Sequence, residues 1–73
     1  MNIEAKALII DRINHYKKAI KALEDAASVS INGTSPLVAS KNDDDGFFDL
    51  LQEMGILFCK KTVESLENKL NNL

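Results

Sequence analysis

The sequence holds almost none of the residues that staple a small protein together. Its one cysteine, Cys59, excludes an intramolecular disulfide. That thiol and the one histidine, His15, are too few for a zinc cluster. Tryptophan is absent, and proline occurs once, at Pro36. No apolar run nears the roughly 20 residues that span a bilayer, so no membrane partner is expected. Met1-Asn2-Ile3-Glu4 lacks the basic and apolar regions of a signal peptide, which gives a cytoplasmic setting and a reduced thiol as the expectation. On the same ground, Asn32-Gly33-Thr34 is read as a chance match to the glycosylation pattern. Positive charge is not in excess either. Nine basic against eleven acidic residues, a net charge of -2, argue against a duplex nucleic-acid partner. Glycine-rich phosphate loops and dinucleotide fingerprints are missing, so no cofactor is expected.

What remains is 73 residues, 45% of them hydrophobic. That is one domain with a thin core. With disulfides and metal excluded, association is the means of stabilisation left to it.

A first segment, about residues 2–27, contains neither glycine nor proline. Ile9, Ile13, Tyr16, Ile20, Leu23 and Ala27 recur at alternating spacings of four and three, a heptad stripe. Asn2 fits an N-cap, and Glu4 suits the positive end of the helix dipole. A third segment, about 43–72, opens on Asp43-Asp44-Asp45, with Asn42 as a cap. It carries two stripes. One is Phe47, Leu50, Met54 and Leu57; the other is Ile56, Cys59, Val63, Leu66, Leu70 and Leu73. Gly55 lies between them, and its cost of about 1 kcal/mol against alanine implies a close helix contact, a bend or a break.

Between the helices, residues 28–42 are rich in serine and contain Asn32-Gly33 and Pro36. Val29 and Ile31 alternate ahead of Asn32-Gly33, the preferred pair for a type I′ turn, which allows a short β-hairpin. Pro36 would cost that hairpin a ladder donor, and isolated hairpins are marginal. A mobile or ligand-ordered loop is therefore the expectation. The fold class is read as all-α: an antiparallel two-helix hairpin with a long polar loop. Its apolar surface is too wide for one partner helix. It predicts assembly into a helical bundle, a dimer of four helices, through Ile9, Ile13, Ile20, Phe47, Phe48, Leu51, Met54 and Phe58.

Candidate chemistry is sparse. Placing Gly46 at the sixth position of a calcium loop puts Asp43 and Asp45 at ligand positions. Lys41 and Gln52 then fall where carboxylates are needed, so helix capping is the better reading. Cys59 sits on a core stripe, as a buried structural thiol would. Arg12, Lys17, Lys18 and Lys21 gather on the second half of the first helix. They suit either a solvated face or an anion patch, to which Asn32, Gly33, Thr34 and Ser35 could add a backbone nest.

The run Lys61-Thr62-Val63-Glu64-Ser65-Leu66-Glu67-Asn68-Lys69-Leu70 resembles the last helix of the small sporulation phosphatase hairpins. Their Ser-x-x-x-Asp element is absent, with Asn68 and Lys69 in its place, so the resemblance implies no activity. The overall plan is similar to small phage-encoded helical hairpins that oligomerise and sequester signalling nucleotides, by architecture alone. The expected function is a non-enzymatic oligomeric interaction protein, an inhibitor, adaptor or regulator that binds itself and a protein partner. The alternative is an oligomeric binder of a small anionic ligand, such as a nucleotide, held by the basic half of the first helix and the 28–42 loop.

Overall fold

The computed structural model describes residues 3–73, so Asn2 and its expected cap lie outside the described residues. The order is α1 (Ile3–Glu24), β1 (Ser28–Ile31), β2 (Leu37–Ser40) and α2 (Phe47–Asn71). The helices of 22 and 25 residues pack against each other along their length. The reading as all-α is corrected: the segment between them is an antiparallel two-stranded sheet.

The hairpin pairs Ser28 with Ser40, Val29 with Ala39, Ser30 with Val38 and Ile31 with Leu37. Below it, the Lys41 N–H donates to the Ala27 carbonyl at 2.9 Å and closes the base. Alternation then puts Val29, Ile31, Leu37 and Ala39 on one face. Both strands pack on α2, and Ala39 is buried. Residues 32–36 form a five-residue connection rather than the two-residue turn that Asn32-Gly33 suggested. Among the described residues only Gly46 has a positive φ, so a type I′ turn does not form. Pro36 falls in the connection, where its missing N–H removes no ladder bond.

α2 begins at Phe47, four residues after the expected start. The acidic run builds the junction instead. Asp43 Oδ2 accepts the Ser40 N–H at 3.0 Å, and the Asp43 N–H returns to the Ser40 carbonyl at 3.0 Å. Asp45 Oδ1 accepts the Phe47 N–H at 3.0 Å. Gly46 caps the helix in the left-handed conformation at φ 74°, a region nearly free for glycine. Asn42 does not cap it.

Of the two stripes on α2, one wins the burial. Cys59 and Val63 are buried, with Ile56, Leu66 and Leu70 half-buried, and they face α1. Phe48, in the first turn of α2, is buried as well. α2 runs unbroken through Gly55, which lies against Leu23 of α1: a side chain added there would meet Leu23 Cδ1 at 3.0 Å. Of the three readings of Gly55, the close contact is the one that holds. The Gln52 side-chain amide spans the same crossing and donates to the Leu23 carbonyl at 2.7 Å.

The buried apolar set is small: Ile13, Ala39, Phe48, Cys59 and Val63. The molecule measures 51 × 23 × 15 Å, with a radius of gyration of 15.4 Å. A compact chain of this length would have about 11 Å. Its accessible surface is 5715 Å² at 8.1 kDa. A compact monomer of that mass exposes roughly 4500 Å², so roughly 1200 Å² is in excess.

Candidate interaction surface

On α2, successive side chains turn by about 100° around the axis. With Cys59 directed at α1, Leu50, Met54, Leu57 and Lys61 fall on the opposite side. The three apolar members are 52–59% exposed, and Phe58 beside them is 62% exposed. The Phe58 ring leans edge-on against Tyr16 of α1, with centroids 6.4 Å apart. Tyr16 in turn meets His15 edge-on at 5.5 Å. Leu50, Met54, Leu57 and Phe58 thus form a continuous apolar patch over two turns of α2. Farther along the same face the character changes. Lys61, Glu64, Ser65 and Asn68 line a shallow groove of about 300 Å³ with mixed charge.

The expected interface residues divide. Ile13 and Phe48 are buried within the chain, so they serve its own core rather than a partner. Ile9, Ile20, Phe47 and Leu51 are half-buried. Met54 and Phe58 are exposed. The sequence reading passed over Leu50 and Leu57 as interface residues. Their signal was the offset between the two stripes, which left one of them without a place in the core. On α1, Ile3, Leu8 and Ile10 are exposed as well.

The residues of the expected anion site fall on two elements. Arg12, Lys17, Lys18 and Lys21 are exposed along α1. Asn32, Gly33, Thr34 and Ser35 form the exposed tip of a hairpin whose strands pack on α2. No positive φ occurs at this tip. Cys59 is buried and His15 is exposed on α1. Among the described residues no group of His, Cys, Asp or Glu is placed to hold a metal ion, and no helix is long and apolar enough to cross a membrane. Comparison of the chain with protein-family models, curated proteins and solved structures finds no match.

Proposed function

We propose that this protein is a non-enzymatic interaction protein, an adaptor or regulator that works by docking the outer face of α2 onto another protein surface. The supporting observation is the patch of Leu50, Met54, Leu57 and Phe58. Single exposed leucines are ordinary on monomers, but a contiguous patch on one helix face marks an interaction site. Helix-in-groove recognition reads such anchors at three- and four-residue spacings. The elongated shape adds to this, because the hairpin has surface to cover and few residues in its own core.

Site-specific photocrosslinking in the native host tests the reading. A benzophenone side chain in place of Leu57 is expected to give discrete protein adducts. The same group in place of Lys18, on the exposed polar side of α1, is the control. Equal yields from both positions, or none from position 57, would overturn the proposal.

A further inference from the structure

The outer face of α2 has an internal symmetry that points to its occupant. In heptad terms Leu50 and Leu57 take the d positions, while Met54 and Lys61 take the a positions. Glu53 and Lys60 then fall at g, and Leu51 and Phe58 at e. The e side is apolar and the g side carries one charge of each sign. Both g residues are exposed, so they are open to a partner.

We propose that the partner for this face is a second copy of the chain, docked with the two α2 helices antiparallel. The two-fold axis passes between Met54 and Leu57. The inference rests on reading this face as a protein-binding surface. In such a pair Met54 lies against Leu57 of the second copy, and Leu50 lies against Lys61 of the second copy. Along an antiparallel seam g meets g and e meets e. Glu53 therefore faces Lys60 of the second copy, and the symmetry forms that pair twice. On the other flank Phe58 meets Leu51 of the second copy, apolar against apolar.

The parallel alternative fails on charge. It stacks Lys61 on Lys61 at the seam and sets Glu53 against Phe58, so it makes no ion pair. Like charges directly opposed are unfavourable, and complementary ones fix register. The polar groove of Lys61, Glu64, Ser65 and Asn68 marks where the apolar seam ends. α1 lies on the opposite side of each α2 from Leu50 and Leu57 and comes near the seam where Tyr16 meets Phe58.

Cross-linking of single-cysteine additions separates the geometries. Leu50→Cys and Lys61→Cys variants are mixed and oxidised with copper phenanthroline, with the unaltered chain, whose Cys59 is buried, as the control. The antiparallel seam predicts a covalent dimer from the mixture and little from either variant alone. A covalent dimer from Leu50→Cys alone would overturn it in favour of a parallel pair. In sedimentation equilibrium, Glu53→Lys is expected to weaken the dimer about fivefold, and Glu53→Lys with Lys60→Glu to restore it. A mass of 8.1 kDa up to about 100 μM, a concentration corresponding to a Kd weaker than that of a specific dimer, would refute self-pairing. With Leu57 adducts to another protein still present, that result would leave the interaction reading standing and remove only the second copy as its occupant.

Discussion

Gly55→Ala sets two effects of similar size against each other. Alanine in a helix interior is favoured over glycine by about 1 kcal/mol, because glycine loses more backbone freedom on folding. The new methyl, however, would sit 3.0 Å from Leu23 Cδ1 and 3.5 Å from Leu23 Cδ2. Overpacking a tight contact costs about 1–3 kcal/mol. The cost falls at the low end here, because one terminal methyl is close and Leu23 is half-buried near the end of α1. The Gln52 bond to the Leu23 carbonyl holds the backbone in place, so the side chain must move instead. The expected net change is within about 0.5 kcal/mol of zero.

A double-mutant cycle isolates the clash from the propensity. Leu23→Ala alone removes packing and costs about 2 kcal/mol, the low end for a half-buried leucine. In the Gly55→Ala background it also relieves the clash, so it should cost about 1 kcal/mol less. Urea unfolding followed by far-ultraviolet circular dichroism measures all four proteins, at one fixed chain concentration so that association does not shift the midpoints. A full 1 kcal/mol of stabilisation from Gly55→Ala, with no coupling to Leu23, would refute the close crossing.

Two further outcomes follow from the fold. Phe48→Ala removes the largest of the buried side chains among the described residues, in the first turn of α2, and should cost about 3–5 kcal/mol. For so thin a core that is enough to unfold the chain at 25 °C, read as loss of the helical dichroism signal. Gly46→Ala forces a side chain into φ 74° at the start of α2, and should cost about 1–2 kcal/mol. Gly46→Asn should cost visibly less, since asparagine tolerates that conformation; equal losses in thermal unfolding would contradict the left-handed cap.

The helices were legible because a glycine- and proline-free run with a heptad stripe has few alternatives. Ile13 and Tyr16 on α1, and Cys59 and Val63 on α2, fall on the stripes that the crossing uses. The hairpin was only half legible. Two residues of alternation on each side are too short a period to decide between strand and loop. Asn32-Gly33 suggested a two-residue turn, whereas the register of Ile31 with Leu37 leaves five. Both strands pack on α2 and Ala39 is buried, tertiary packing with no local signature. The start of α2 was misplaced for a related reason. Acidic residues favour a helix N-terminus, and Asp45 does accept the N–H of Phe47, the first residue of α2, but Asp43 satisfies the Ser40 N–H in the junction ahead of it. As for the interaction face, the sequence exposed two competing stripes on α2. Which one α1 would cover depends on the Leu23–Gly55 contact, and only the three-dimensional crossing decides it.

The Lys41 to Ala27 bond at the foot of the hairpin has an engineering consequence. It fixes the two ends of the intervening chain side by side, whatever lies between them. Loop-closure entropy rises slowly with length, by about 0.6 kcal/mol per doubling. The exposed tip between Gly33 and Thr34 is therefore a natural port for grafted sequence. An epitope or a short binding peptide inserted there enters an exposed connection outside the paired strands. The molecule can in that way serve as a display scaffold, with the cargo at the hairpin tip and the apolar face of α2 still open to its partner.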